Sequence, residues 1–148
     1  MRERLRVGVI GLRFGTQVHV PAFRTDSRCE VTTLIGRDAV LTAELARTLE
    51  VPSISTQWRE LIESPTIDAV SIAVPPALQA AIIVHAAHHR KHVFCEKPLA
   101  SSVANARLAL DAATSAGIVH VIDFMFPEVE VWQQARALLD QIDTMFTR

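Results

Sequence analysis

Glu96-Lys97-Pro98 sets an ammonium between a carboxylate and a proline, directly after the apolar run His92 to Cys95. A lysine at the carboxyl end of a parallel strand stands where open α/β sheets bind their ligands. A cation there stabilises an oxygen that becomes an alkoxide, so Lys97 is a catalytic candidate if a cofactor site lies upstream. The first fifteen residues read as such a site. Leu5 to Ile10 has the pattern of a buried strand and runs into Gly11-Leu12-Arg13-Phe14-Gly15, a tight turn that opens a helix. Glycines in that place let backbone N–H groups approach a phosphate without a Cβ in the way. Taken alone, two glycines at this spacing are a weak signature.

The elements that must hold these groups alternate along the chain. After the opening strand and turn, a helix is predicted around Gln17 to Arg24, then a strand Glu30 to Ile35 and a helix from Asp38, as N-cap, to about Leu49. A weak strand Ser53 to Ser55 and a short helix Gln57 to Ile62 follow. Ala69 to Ala73 reads as the fourth strand, and Ala77 to His89 as a helix after the Pro75-Pro76 turn. His92 to Cys95 is the fifth strand, Ser101 or Ser102 caps a long helix ending at Gly117, and Ile118 to Ile122 is the sixth strand. Short β-branched runs alternating with helices argue for an α/β doubly wound parallel sheet with right-handed crossovers, the Rossmann-like dinucleotide-binding architecture. A last helical pattern runs from Pro127 to Ile142, with Trp132, Ala135, Leu139 and Ile142 along one stripe.

Composition bounds the partners. At 148 residues the chain is about one domain long. A net charge of -1 leaves no footprint for nucleic acid and no basic run for a membrane surface, so the expected partner is a small molecule. Cys29 and Cys95 have neither metal-site nor disulfide-framework spacing and read as reduced thiols, which suits a cytoplasmic protein. The charged start, Met1 to Arg6, with only a short apolar run after it, argues against a signal peptide. Ala69 to Ala87 is apolar enough to suggest a membrane span, but Pro75-Pro76 cuts it near the middle.

Over roughly residues 5 to 140 the chain resembles the Gfo/Idh/MocA family of NAD(P)-dependent oxidoreductases, on the strand-and-glycine opening, His19 and Pro21 of a His-x-Pro pattern, Ala73-Val74-Pro75-Pro76, and Lys91 to Pro98. The resemblance implies a Rossmann domain, here residues 1–126, with residues 127–148 starting a second α/β domain that is otherwise absent. In the family that second domain supplies most substrate contacts, much of the dimer interface and usually an Asp and a His of the active site. Hydride transfer on a sugar, cyclitol or similar polyol is the implied reaction, with Lys97 on the reacting oxygen and Glu96 on the nicotinamide ribose or orienting Lys97. The alternative is a cofactor-binding module without independent turnover, completed by a partner chain. A homodimer or partner protein is expected to cover the Trp132 stripe.

The resemblance also assigns the cofactor contacts. Gly11, Leu12, Arg13, Phe14 and Gly15 fall at the pyrophosphate, with Arg13 where the family's subgroup has a glycine. Its guanidinium can reach a phosphate, block the site, or stand in solvent. Gly36 and Arg37 fall where an acid usually binds the adenosine ribose, and a small residue followed by arginine suits the 2′-phosphate of NADP rather than NAD. The competing reading makes Arg37 a loop residue and Asp38 a helix cap. Val74 and Pro75 fall beside the nicotinamide, as does Gln79 unless it merely packs on its helix. A structural ion pair competes for Glu96 and Lys97. Asp123 faces the cleft or caps the last helix. No metal site is expected: His85, His88 and His89 sit where a helix C-terminus favours imidazole, and His92 begins a strand. Trp132 and Phe146 read as packing residues.

Overall fold

A computed structural model describes residues 4–125 and 128–146, with side chains described to Leu139. Six strands form one sheet: β1 (Leu5–Ile10), β2 (Cys29–Ile35), β3 (Ser53–Ser55), β4 (Ala69–Ile72), β5 (His92–Glu96) and β6 (His120–Asp123). Every pairing is parallel, and the order is β3-β2-β1-β4-β5-β6. The chain starts in the middle, winds outward to β3, then crosses back beside β1 as β4. The reversal leaves a crevice at the carboxyl ends of β1 and β4, the place where doubly wound sheets take ligands.

Helices cover both faces. On one, α1 (Val20–Thr25) and α2 (Ala39–Thr48) bury Val20 and Ala46 against Val7, Val9, Val31 and Leu34. On the other, α3 (Trp58–Glu63), α4 (Pro76–His88) and α5 (Val103–Ser115) bury Ile62, Ile82, Ala86, Ala109 and Ala113 against Ile10, Val70, Ile72 and Val93. This explains why the central strands read as continuous apolar runs rather than alternating ones. Each fully buried Ile or Leu contributes about 1.5–3 kcal/mol. Proline at the first turn opens α4, where its missing N–H costs nothing.

Most differences from the expected boundaries have local causes. In place of a helix from Gln17, a π-turn (Gly15–His19) leads into α1, with the Val20 N–H donating to the Gly15 carbonyl. Thr16 Oγ1 donates to the carbonyls of Leu12 and Arg13 at 2.7 and 2.9 Å, tying down this first turn. β6 starts at His120 rather than Ile118, because the Ile118 N–H closes α5 on Ala113 and the Val119 N–H donates to His92 Nδ1 at 3.1 Å. That bond also occupies His92. Asp38 does cap α2, its carboxylate accepting from Leu41 N at 3.0 Å, and Ser102 caps α5.

α6 (Glu130–Phe146) follows β6. Trp132 and Leu139 on its stripe are 56% and 65% exposed. The expected domain boundary at 126/127 falls on residues outside those described, as does Pro127, and so do the side chains of Ile142 and Phe146. Among the described residues no helix is long and apolar enough to cross a membrane, and Ala69 to Ala87 is divided between β4 and α4.

Candidate active site

The crevice is built from the carboxyl ends of five strands, β1, β2, β4, β5 and β6. At the end of β1, Gly11 has φ 123°, a conformation L side chains rarely adopt, and a Cβ there would run into the Ala73 carbonyl. This close approach lets the glycine turn lie against the turn after β4. Gly11 N donates to Ile35 O at 3.0 Å, and Ala73 N to Ile10 O at 2.8 Å, so three strand ends are stitched together. The amides of Leu12 and Arg13 make no hydrogen bond among the described residues and precede a helical turn, which fits a diphosphate. Gly15 is buried beneath them, with Val9 where its Cβ would be. Arg13 is exposed, so its guanidinium does not fill the turn, and Phe14 sets its ring edge-on to His19, centroids 5.4 Å apart.

Gly36 follows β2 directly and donates to Ser55 O at 3.2 Å. A side chain there would collide with Leu12 and, at 2.5 Å, with Thr42 Oγ1, so the glycine keeps β2 close to the glycine turn. Arg37 is exposed and makes no hydrogen bond or ion pair among the described residues. Asp38 is committed to capping α2. Of the two acids and bases near this strand end, only the guanidinium is uncommitted.

The β5 end is organised differently. Glu96 is 9% exposed, and its two oxygens have separate duties. Oε2 accepts from the Lys97 backbone N–H at 3.1 Å, while Oε1 lies 3.3 Å from His19 Nε2. Lys97 itself is exposed, with no ion pair among the described residues, so the structural salt bridge is set aside: Glu96 holds the lysine by its main chain. The Lys97–Pro98 peptide is cis. Beneath it, Gln79 is fully buried and donates to Pro98 O at 2.7 Å while accepting from Cys95 Sγ at 2.7 Å. With no accessible surface, Gln79 supports this loop from below. Burial and the neighbouring Glu96 push the Cys95 thiol up to about 12.

Asp123 pairs with Glu96 across the sheet and brings Oδ2 to 3.6 Å from His19 Nε2. It faces the cleft cluster, while α6 starts further on at Glu130. His19, Glu96 and Asp123 thus converge, their donor atoms all within 4.8 Å of one another, a spacing that one metal ion could bridge. His19 was visible only as half of a His-x-Pro pattern; its place between β4, β5 and β6 was not. Val74 and Pro75 lie in the turn after β4, beside Gly11. At the end of α4, His85 meets Glu63 at 3.1 Å, the Trp58 ring edge-on and the His89 ring at 4.7 Å, and donor atoms of Glu63, His85 and His89 lie within 4.8 Å of one another.

A parallel sheet with strand order reversing at a glycine turn, and a carboxylate-anchored lysine beside it, defines a Rossmann-type dinucleotide-binding domain. The family model described as oxidoreductase family, NAD-binding Rossmann fold, matches residues 5–124, and the chain belongs to this Gfo/Idh/MocA family. It is 30% identical over 147 residues to a levoglucosan dehydrogenase of Pseudarthrobacter phenanthrenivorans, covering 94% of this chain and 38% of that protein. A crystal structure of an NAD binding oxidoreductase from Klebsiella pneumoniae superposes with a TM-score of 0.84 at 29% identity, over 93% of this chain and 39% of the other. The 3-ketoreductase KijD10 of Actinomadura kijaniata, solved with TDP-benzene and NADP, has a TM-score of 0.84 at 27% identity, over 94% and 43%. The chain therefore spans well under half the length of the relatives it matches.

Proposed function

We propose that this chain is the cofactor half of an NAD(P)-dependent oxidoreductase that moves a hydride to or from a sugar, cyclitol or similar polyol, with Lys97 as the catalytic residue. The observation that carries this reading is the exposed Lys97 ammonium on a loop pinned by Glu96 and Gln79, with β4 alone between its strand and that of the glycine turn. A nicotinamide dinucleotide bound there supplies or accepts the hydride. Leu12 and Arg13 amides would hold its diphosphate, and Lys97 would hydrogen-bond the substrate oxygen and stabilise the charge it gains. Glu96 orients Lys97 and Asp123 lines the same end of the cleft. Residues 1–126 form the cofactor domain and 127–148 begin a second one, in a cytoplasmic protein.

Arg37 beside Gly36 favours NADP(H), since Gly36 carries no acid to repel a 2′-phosphate and the nearest carboxylate, Asp38, is turned to the cap of α2. The exposed faces of β6 and α6, with Val121, Ile122, Phe124 and Leu139, fit a covering partner, a second copy or another chain. A cofactor module without turnover of its own is the second reading, favoured by the coverage of under half of each relative.

Calorimetry with NADPH and NADH, together with Lys97→Ala, tests the proposal. The expected result is binding of at least one reduced coenzyme, unchanged in the variant, with polyol-dependent reductase activity lost by about 100-fold or more. Binding without turnover in the wild type supports the second reading. No binding of either coenzyme, or a variant that keeps half of the activity, overturns the assignment.

A further inference from the structure

Among the described residues, His19 links the helical turn after the glycines to the far half of the crevice, through Glu96, Asp123 and Phe94. It closes the π-turn that starts at Gly15, four residues after the strained Gly11. His19 and the adjacent Val20 are both buried, at 2% and 0% exposure. By its backbone His19 belongs to this turn, and by its side chain to the sheet end. Its ring is packed edge-on between Phe14, at 5.4 Å, and Phe94, at 5.2 Å.

The proton positions follow from the partners. Nδ1 lies 2.7 Å from Ser71 Oγ, on β4, while Nε2 faces the Glu96 and Asp123 carboxylates. A bare Nε2 lone pair there would oppose two anionic oxygens, so Nε2 carries a hydrogen and donates it to Glu96. In the neutral ring, Ser71 donates to Nδ1 and locks that tautomer. The line of bonds runs Ser71, His19, Glu96 Oε1, Glu96 Oε2 and the Lys97 N–H. The imidazole is 1% exposed and cannot touch a ligand, so it acts through Glu96.

We infer that His19 is a positioning residue that couples occupancy of the glycine turn to the placement of the Lys97 loop. The inference rests on the proposed cofactor function. A diphosphate that settles on Leu12 and Arg13 draws the Gly11–Gly15 turn, and the rigid π-turn passes that displacement to Glu96 through the Nε2 hydrogen bond. The loop that carries the catalytic ammonium is thereby set by the end of the cofactor that never reaches it.

ADP is the probe, because it carries the diphosphate and lacks the nicotinamide riboside. On 15N-labelled protein, ADP is expected to shift the Lys97 amide resonance in the wild type. In His19→Leu, ADP should bind within about threefold of wild type while the Lys97 amide stays put. His19→Gln, whose side-chain nitrogen can reach the Nε2 position, should restore the response, which a merely space-filling role would not do. Ser71→Ala keeps the imidazole volume, frees its tautomer and should weaken the response; it carries the test if His19→Leu does not fold. A Lys97 amide that ignores ADP in the wild type, or responds equally in His19→Leu and Ser71→Ala, overturns the coupling, and so does ADP that fails to bind. If NADPH and NADH bind nonetheless, the cofactor function stands and only the coupling falls. If neither binds, both fall.

Discussion

The two ends of the crevice are built by opposite means. At β1 and β2 the groups that face a ligand are main-chain amides and exposed guanidiniums, brought close by glycines and without partners among the described residues. At β5 and β6 the corresponding groups are side chains bonded to each other, with Gln79, Cys95, Glu96 and His19 all buried. One end is shaped by the removal of side chains, the other by their mutual commitment. An anion that brings its own charge needs only donors and room, whereas a lysine that must meet a reacting oxygen needs a fixed position before the substrate arrives.

The sharpest way to break this contrast is to give the open end a side chain. Gly11→Ala forces a Cβ onto the Ala73 carbonyl at φ 123°, and backbone on both sides leaves little to yield. A loss of about 2–4 kcal/mol is expected in denaturant melts, with coenzyme binding impaired in whatever remains folded. Stability within 0.5 kcal/mol of wild type, about the scatter of a surface substitution, would show that the approach to Ala73 is not needed.

Removing charge from the open end should leave the fold alone and change selectivity. Arg37→Ala deletes a charge-assisted contact to a 2′-phosphate, about 1.5–3 kcal/mol, so NADPH affinity should fall roughly ten- to hundredfold while NADH affinity holds. Titration of both coenzymes reads it directly. An unchanged ratio, or NADH bound as tightly as NADPH by the wild type, removes Arg37 from the adenosine site.

The smallest effect lies outside the crevice and sharpens the comparison by contrast. Arg6 meets Asp68 at 2.7 Å between β1 and the start of β4, and this hydrogen bond lowers the Asp68 carboxyl below its usual 3.8. A depressed carboxyl contributes stability above pH 3.8, and that contribution is lost as pH falls through the folded value. With both side chains over a third exposed, the contribution is about 1 kcal/mol or less. Asp68→Asn should therefore flatten the acid limb of a stability profile below pH 4 while leaving coenzyme titrations untouched, and an unaltered acid limb would remove the pair from the account.

Much of this architecture is legible in one sequence, for physical reasons that also mark where reading stops. β1, β4 and β5 announce themselves because strands buried on both faces are mostly apolar, and Lys97 stands out as a charge shortly after such a run. Asp38 was readable as a cap because capping is settled within three residues. His19 and Glu96 are 77 residues apart, and their contact depends on strand order, which no local pattern encodes. The orientation of Gln79 is unreadable for a related reason: α4 is apolar nearly all round, so spacing along it does not say which way a lone amide points. The π-turn was hidden because Thr16 and Gly15 permit an ordinary helix as readily.

Cys95 turns the closed end of the crevice into its own clock. Its thiol is 1% exposed, donates to Gln79 and is pushed up to about 12, so a thiol reagent reaches it only when the packing around this end opens. The rate at which Cys95 reacts, against that of the half-buried Cys29, then counts the openings of this end of the crevice without any label being introduced.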